Sequence, residues 1–161
     1  SSSSSSSSAS ASALLLTQMT TNPSFFNSSS SSSCCHNHNH HRSFSSIKRL
    51  GTDANPNMSS AVVHGGILTT MGVIDLQGKT LEEQTTNILT KIDELLKEGG
   101  TDKTKLLTAN IWLKDITTDF KPFNEIWVNW IDSNQKPIRA CVEANLALPN
   151  LLVEIQVTAA V

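Results

Sequence analysis

Two helical segments, each inserted between strand-like segments, constrain the fold of this chain more than any other feature. The first follows Thr80 and contains Glu83, a spacing that predicts a capping box in which the Thr80 hydroxyl accepts the Glu83 N–H. A pair of glycines marks the end of this helix. Asp119 can cap the second helix, with Pro122 in its first turn, where a missing N–H costs little. Strands that are separated by long helices need crossover connections, so we expect a mixed sheet with both helices on one face.

Strand-like sequence fills most of the remaining positions after residue 60. A hairpin is predicted around Gly65-Gly66, because glycine readily supplies the positive φ of a tight turn. Three further strands are predicted at residues 105–113, 138–146 and 152–159. The element order is therefore β-β-α-β-α-β-β, which is an α+β domain. One face of its sheet would stay uncovered, and in a small domain this indicates oligomerisation.

Side-chain periodicity also predicts which faces are buried. The strand at 105–113 alternates between apolar and polar positions, so one of its faces should lie on the core. That face carries Leu107, Ala109, Ile111 and Leu113. The second helix has an aromatic stripe at helical spacing, which is more typical of a core than of a ligand site. The stripe consists of Phe120, Phe123, Trp127 and Trp130.

Residues 1–50 differ in composition from the rest of the chain. They contain 20 of the 23 serines and no acidic residue, and their three basic residues give a charge of +3. A serine-rich, acid-free segment lacks the periodicity of a folded core and resembles an organelle transit peptide. Residues 42–46, Arg-Ser-Phe-Ser-Ser, look like a mitochondrial processing pattern, while the serine content fits a plastid leader equally well. We therefore expect a disordered targeting leader at residues 1–50, a location in an organelle matrix or stroma, and a folded domain at residues 51–161.

The predicted leader also contains a cluster of possible metal ligands. Residues 34–41 include two cysteines and four histidines, and thiolates and imidazoles are good ligands for zinc or copper. Their spacing matches no closed zinc site, because such a site needs ligand pairs that a fold brings together. We interpret the cluster as part of a low-complexity leader and predict no metal site.

The composition of residues 51–161 excludes several classes of protein. Their 14 acidic and nine basic residues give a net charge of about −5 (14 − 9), which is a poor match for nucleic acid. No run approaches the roughly 20 apolar residues that a membrane helix needs. Cys141 is the only cysteine among them, so no disulfide can form within the domain. Neither nucleic acid nor a membrane is therefore predicted as a partner.

Polar side chains recur at every second position in the last two strands. Arg139, Cys141 and Glu143 share one face of the first strand, and Glu154 lies on the polar face of the next. We expect these two faces to meet on the side of the sheet opposite the helices. Arg139 is the only arginine of the domain, and its planar fork suits bidentate binding of a carboxylate. The alternative is an ion pair between Arg139 and Glu143 or Glu154.

The other reactive side chains give weaker signals. Cys141 is a possible nucleophile, but it needs a base, and the only histidine of the domain, His64, lies beside the hairpin turn. A buried structural cysteine is the simpler interpretation. Glu143 and Glu154 could act as paired carboxylates, or they could form salt links on the sheet face. The domain has no glycine-rich phosphate loop.

Several short motifs occur in a fixed order over residues 58–161. They are Met71-Gly72, Glu83-Gln84-Thr85-Thr86-Asn87-Ile88-Leu89, Trp112-Leu113-Lys114-Asp115, Asp119-Phe120, Phe123-Asn124-Glu125, Lys136-Pro137-Ile138-Arg139-Ala140-Cys141-Val142-Glu143, Leu148-Pro149 and Val153-Glu154-Ile155. The Pro-x-Arg-x-x-Val-Glu segment, followed by Leu-Pro and Val-Glu-Ile, is specific in combination. With these motifs the sequence resembles the YjgF/YER057c/UK114 family, also called the RidA or reactive-intermediate deaminase family.

The resemblance implies a chorismate-mutase-like fold and a specific chemistry. Such proteins are homotrimers whose sheets form a central barrel, with the helices outside and the active sites in clefts between subunits. The implied reaction is hydrolysis of 2-imino or enamine acids, such as 2-iminobutanoate and 2-iminopropanoate, to 2-keto acids and ammonia. No metal or organic cofactor is implied. The expected partners are the small imino or enamine acid and further copies of the chain.

The same resemblance assigns roles to individual residues. Arg139 would hold the substrate carboxylate, and the Gly72 backbone would approach the same site. The Cys141 backbone and the Glu154 carboxylate would position and activate water.

Two positions depart from the family pattern. Met58 stands where many deaminases have a tyrosine and Met71 where serine is usual, so the implied pocket loses two hydroxyls and becomes more apolar. Because Arg139 is retained, carboxylate binding survives the comparison better than turnover. An alternative is therefore a non-catalytic trimer of the same fold that binds small carboxylates or acts as a regulator. The endoribonuclease activity attributed to some family members suits an acidic domain poorly.

Overall fold

The computed structural model describes residues 46–161. The cluster at residues 34–41 and most of the predicted leader lie outside the described residues. The first strand, β1 (Lys48–Leu50), pairs antiparallel with β2 (Ala61–His64). Leu50 is buried in the core. The sheet therefore includes Lys48–Leu50, which lie within the predicted leader at residues 1–50.

The described part of the chain folds into one mixed sheet with two helices. The elements after β2 are β3 (Ile67–Thr70), α1 (Leu81–Gly99), a short 3-10 helix (Lys103–Lys105), β4 (Leu106–Leu113), α2 (Ile116–Trp130), β5 (Ile138–Glu143) and β6 (Val153–Ala160). The strand order in the sheet is β1-β2-β3-β6-β4-β5. Neighbouring strands are antiparallel except for β4 and β5, which are parallel. The predicted α+β fold with a mixed sheet is confirmed, and β1 adds one strand to the predicted order.

Both ends of α1 form as the sequence predicts. The Thr80 hydroxyl accepts the Glu83 N–H at 3.2 Å, and the Glu83 carboxylate accepts the Thr80 N–H at 3.4 Å. At the other end Gly100 has a φ of 89°, and its N–H donates to the Lys97 carbonyl at 3.1 Å. Only glycine adopts this left-handed conformation without strain, so the glycine ends the helix.

Helix α2 begins one turn earlier than predicted. Asp115, not Asp119, is the cap, and its carboxylate accepts the backbone N–H of Thr117 at 2.9 Å and of Thr118 at 3.2 Å. The Asp119 N–H already donates to the Asp115 carbonyl within the helix. Pro122 therefore lies beyond the first turn, where its missing N–H removes a helical hydrogen bond. The prediction was wrong because Asp115 and Asp119 are both chemically suitable caps, and the end of β4 selects the first.

A β-bulge changes the alternation at the start of β4. The register against β6 shifts between Leu106 and Thr108. As a result Leu106 is buried, whereas Leu107 is exposed. The prediction that Leu107 faces the core is wrong, because a bulge inserts an extra residue and reverses the faces on one side of it. Ala109, Ile111 and Leu113 do lie in the core, as predicted.

The core lies between one face of the sheet and the two helices. Strand β6 runs through the middle of the sheet and has one fully buried face. That face consists of Val153, Ile155, Val157 and Ala159. Ile88, Ile92 and Leu96 of α1 and Phe123 of α2 are also buried in this core. Burial of each large side chain of this kind contributes about 1.5–3 kcal/mol, so these contacts fix both helices on the sheet.

The opposite face of the sheet carries no helix of the described part. Its centre is polar, with the Thr108 and Thr158 hydroxyls 2.6 Å apart and the Gln156 amide donating to the Thr70 carbonyl at 3.1 Å. Its edge at β5 is apolar, where the side chains of Ile138 and Val142 are exposed. Neither helix of residues 46–161 has the length and apolar character that spanning a membrane requires.

Candidate functional site

Arg139 lies on β5 with its side chain against α2. Its guanidinium donates to the Asn124 side-chain oxygen at 2.9 Å. The guanidinium carbon is 5.9 Å from the ring centroid of Phe120 and 5.7 Å from that of Trp127, both within cation–π range. Arg139, Asn124 and Trp127 line a groove of about 320 Å³, and Lys136 lines it as well. Two cationic side chains and an aromatic wall therefore surround a space of ligand size.

No carboxylate of the described chain neutralises Arg139. Within residues 46–161 one salt bridge is formed, between Lys91 and Asp75 at 3.0 Å. Glu143, a candidate partner, instead accepts the first N–H of α2 at 3.0 Å. Glu154, the other candidate partner, lies on a different part of the sheet. The ion pair that the sequence left open as an alternative role for Arg139 is therefore not formed, and the guanidinium keeps its charge available.

Cys141 follows Arg139 on the same face of β5. Its neighbour in the ladder is the buried Ile111, and the thiol packs partly against the core. Burial raises the pKa of the Cys141 thiol, and the nearby Arg139 charge opposes this only in part. His64 lies on β2, with β3, β6 and β4 between it and β5. Among residues 46–161 no Cys–His pair is therefore assembled, which agrees with a structural cysteine.

The other two predicted residues, Gly72 and Glu154, lie in direct contact. A Cβ on Gly72 would overlap the Glu154 carboxylate, and it would lie 2.8 Å from the carboxyl carbon. The contact is fixed by the backbone, because the Val73 N–H donates to the Ile155 carbonyl at 2.7 Å and the Ile155 N–H donates to the Val73 carbonyl at 3.1 Å. Glycine is therefore required at position 72 for the carboxylate to occupy its place.

Arg139 and Glu154 lie on opposite faces of the sheet. Ala109 of β4 is flanked by Arg139 on β5 and Val157 on β6, and laterally paired residues share a face. Ala109 and Val157 are buried beneath the helices, so Arg139 points to the helix side. Glu154 pairs with Trp112 of β4. Trp112 lies three positions beyond Ala109, and because side chains alternate along a strand the two point to opposite faces. Glu154 therefore points to the open side.

The prediction that the polar faces of the last two strands meet opposite the helices is therefore wrong. It treated β5 and β6 as neighbours, whereas β4 lies between them. Within one protomer the structure joins Gly72 to Glu154, and separately places Cys141 beside Arg139. It does not bring these two pairs together.

Sequence reasoning missed the residues that hold Arg139. Phe120, Asn124 and Trp127 lie at positions i, i+4 and i+7 of α2 and therefore on one face of the helix. The aromatic stripe was interpreted as core, and only Phe123 and Trp127 are buried. The available signal was the asparagine within the stripe, Asn124, because an amide on an apolar helix face requires a polar partner.

A second groove adjoins Gly72. It has a volume of about 330 Å³ and is lined by Met58 and Met71, the two positions that depart from the family pattern. Its other walls come from β2 and β3, including Ala61 and Val62. Residues 46–161 contain no group of three or more His, Cys, Asp or Glu side chains that could hold a metal ion.

Comparisons with known proteins agree on one family. The sequence profile of the family described as Endoribonuclease L-PSP matches residues 46–161. The RutC family protein YoaB of Escherichia coli (strain K12) is 37% identical over 109 residues, which are 68% of this chain and 95% of YoaB. The putative regulator AldR of Lactococcus lactis is 31% identical over 113 residues, 66% of this chain and 87% of AldR. Among solved structures, a YjgF-family protein from Neisseria meningitidis is 39% identical, with a TM-score of 0.69 over 73% of this chain and 96% of its own.

These comparisons correct the predicted location. An organelle matrix or stroma was expected, but YoaB and the Neisseria protein come from bacteria, which have neither mitochondria nor plastids. The match to YoaB leaves only 5% of YoaB uncovered, so YoaB has no counterpart of a leader of about fifty residues. The prediction of an organelle location is therefore wrong.

Proposed function

The chain belongs to the family described as Endoribonuclease L-PSP, and from that premise we propose that it is a hydrolase of small reactive carboxylates. Its substrates are 2-imino and enamine acids, such as 2-iminobutanoate and 2-iminopropanoate, which it converts to 2-keto acids and ammonia. The RutC and YjgF relatives supply the family, and the arrangement of side chains supports the chemistry.

The observation that carries this proposal is the environment of Arg139. The guanidinium is held by one amide and two aromatic rings, with no acidic neighbour to neutralise it. A planar guanidinium with free N–H groups binds a carboxylate through two parallel hydrogen bonds. This arrangement supports a role in holding the carboxylate that every 2-imino acid carries.

The remaining step needs a water and a proton acceptor. The carbon of a protonated imine is already electrophilic, so water adds to it to give a tetrahedral carbinolamine. The Glu154 carboxylate accepts a proton from that water and returns it to nitrogen, which then leaves as ammonia. The carbinolamine hydroxyl gives up its proton to the same carboxylate as the carbonyl of the 2-keto acid forms, and the ammonia takes that proton to become ammonium, which restores the carboxylate. Gly72 permits this chemistry, because any side chain there would displace the carboxylate. The Cys141 backbone, beside Arg139, contributes to positioning the substrate.

A site of this kind needs two protomers. Arg139 and Glu154 point to opposite faces of one sheet, so a single substrate reaches both only if each comes from a different copy of the chain. We propose a homotrimer in which the open sheet faces form a barrel. The apolar side chains of Ile138 and Val142, exposed at the edge of that face, support such an assembly.

Hydrolysis of freshly generated imino acids tests the function. A pyridoxal-phosphate dehydratase acting on serine or threonine supplies the imine, and release of ammonia and 2-keto acid is measured with and without this protein. We expect a clear acceleration by wild type and none by Arg139→Ala. Arg139→Lys is the matched control, because it keeps the charge but not the fork, and should retain only a small part of the activity. Full turnover by Arg139→Ala would refute the assignment of Arg139.

A non-catalytic carboxylate-binding or regulatory protein is the alternative. The separation of Arg139 from Glu154 favours it, because carboxylate binding could persist without proton transfer, and one relative is named a putative regulator. Binding of 2-oxobutanoate without any imine hydrolysis would select it. Cleavage of RNA by pure protein, lost in Arg139→Ala, would instead favour the activity in the family's description.

A further inference from the structure

The groove beside Gly72 is predominantly apolar. Met58, Ala61, Val62 and Met71 line it, together with small hydroxyl-bearing residues, and no charged side chain of the described chain does so. Its volume of about 330 Å³ exceeds what a methyl group requires. Gly72 is one of the residues that line the groove, and the Glu154 carboxylate lies against the same glycine. The groove and the carboxylate that the proposed hydrolysis uses therefore adjoin the same glycine.

We propose that this groove receives the side chain of the substrate and selects 2-imino acids with branched aliphatic side chains over 2-iminopropanoate. This inference rests on the proposed hydrolysis of imino acids and adds the substrate class. The side chain of a 2-imino acid starts on the carbon next to the reacting one, so it must leave the site along a wall that adjoins Gly72. In the described chain the apolar groove is such a wall.

The physical basis is removal of apolar surface from water. A branched side chain gains free energy when it leaves water for an apolar groove, whereas a methyl group has little surface to bury. Met58 and Met71 are unbranched and flexible, so their thioethers can pack around side chains of different shape. A polar substrate side chain would lose its hydrogen bonds to water without replacement, and the groove selects against it.

Binding of stable 2-keto acids tests the inference without any turnover. Calorimetry gives Kd for 4-methyl-2-oxopentanoate and for pyruvate on the full-length protein. We expect the branched acid to bind about tenfold or more tightly than pyruvate, since each buried methylene in a pocket changes affinity at least several-fold. Met58→Ser should reduce this ratio to about threefold or less by removing apolar wall.

Leu76→Ser is the matched control, because Leu76 is as exposed as Met58 (53% against 52%) but lies outside the groove. It should leave the ratio unchanged, and circular dichroism should show that both variants are folded. Equal Kd values for the two acids in wild type, no binding of either acid, or a ratio unaffected by Met58→Ser would each overturn the inference.

The same measurements separate this inference from the proposed function. Imine hydrolysis without preference for the branched acid would leave the hydrolase proposal standing and remove the substrate class. Preferential binding of 4-methyl-2-oxopentanoate without hydrolysis of any imine would refute the hydrolase proposal and would leave the groove as a selective binding site for branched carboxylates.

Discussion

The orientation of Arg139 depends on groups that leave its charge intact. Aromatic rings attract a guanidinium through their quadrupole, and the Asn124 amide accepts one of its N–H groups. A carboxylate in the same place would hold the side chain more strongly, but it would also occupy the fork that an incoming anion needs. At this residue, orientation and availability are obtained together because the supporting groups are neutral.

Asn124→Asp tests this interpretation with an almost isosteric change. The new carboxylate would lie about 2.9 Å from the guanidinium and form the ion pair that wild type lacks. We expect the Kd for 2-oxobutanoate to rise at least about tenfold while the thermal midpoint stays unchanged or increases. Asn124→Ala is the control, because it removes the hydrogen bond without neutralising Arg139 and should weaken binding less. Equal losses in the two variants would mean that Asn124 acts only by positioning.

The sequence identified Arg139 but not its supporting residues, for a physical reason. Arg139 is the only arginine of residues 51–161, beside eight lysines, so its presence has few alternative explanations. Its position on a strand predicts which residues share its face, but not on which side of the sheet that face lies. Phe120 and Trp127 had two explanations, core or ligand site, since helical periodicity is the same for both. Only the position of α2 relative to the edge strand β5 decides between them, and that is a tertiary property.

At the scale of elements, the connection from β3 to α1 is fixed around one buried acid. Asp75 accepts hydrogen bonds from the Gly78 N–H and the Asn87 amide, each at 2.8 Å, and from the Lys91 ammonium at 3.0 Å. Its side chain is almost completely buried. These hydrogen bonds tie the segment after Gly72 to the turn before α1 and to the helix itself.

This arrangement predicts an acid-sensitive contribution to stability. Burial alone would raise the pKa of Asp75, but the hydrogen bonds from Asn87, Gly78 and Lys91 outweigh it and lower the pKa from 3.8 to about 2. A lowered pKa stabilises the folded state fully above 3.8, and the contribution disappears as the pH falls toward 2. Asp75→Asn should therefore lower the free energy of unfolding by about 1–2 kcal/mol at pH 7. This is less than the full pKa shift implies, because Lys91 is partly exposed and solvent screens its charge.

Urea unfolding at pH 7, 4 and 2 measures this contribution. The difference between wild type and Asp75→Asn should be constant from pH 7 to about 5 and should shrink toward pH 2. Asp53→Asn, at an exposed position, is the control and should unfold like wild type at each pH. A difference that stays the same at pH 2 would mean that the carboxylate charge plays no part.

Elements differ in how well the sequence predicts them. The capping box of α1 was predictable, because both of its partners lie within three residues of each other. The bulge at Leu106 and Thr108 was not, since an extra residue in β4 is visible only against the partner strand β6. The start of α2 was missed for a related reason, because Asp115 and Asp119 satisfy the same local rule.

At the scale of the whole molecule, strand order decides which residues can share a site. Periodicity predicts the two faces of each strand, but it does not say which strands are neighbours. The insertion of β4 between β5 and β6 places Arg139 on the helix side and Glu154 on the open side. A site that uses both would therefore need two protomers, as we propose, and the periodicity of a single strand could not have predicted it.

Subunit mixing tests whether the site is shared between protomers. Arg139→Ala and Glu154→Gln should each be inactive alone, because each lacks one half of every site. If the two variants are co-expressed, mixed trimers contain interfaces that join an intact Arg139 to an intact Glu154. With equal amounts of the two variants and random assembly of a cyclic trimer, about a quarter of the interfaces have both residues intact. The co-expressed sample should therefore recover about a quarter of the wild-type rate.

Separately purified variants, combined without subunit exchange, are the control and should stay inactive. Light scattering establishes that wild type and the co-expressed sample are trimers of equal mass. Failure of the co-expressed trimers to exceed the sum of the separate variants would place Arg139 and Glu154 in the site of one protomer. Their side chains would then have to reach around the edge of the sheet, which their opposite orientations in the ladder oppose.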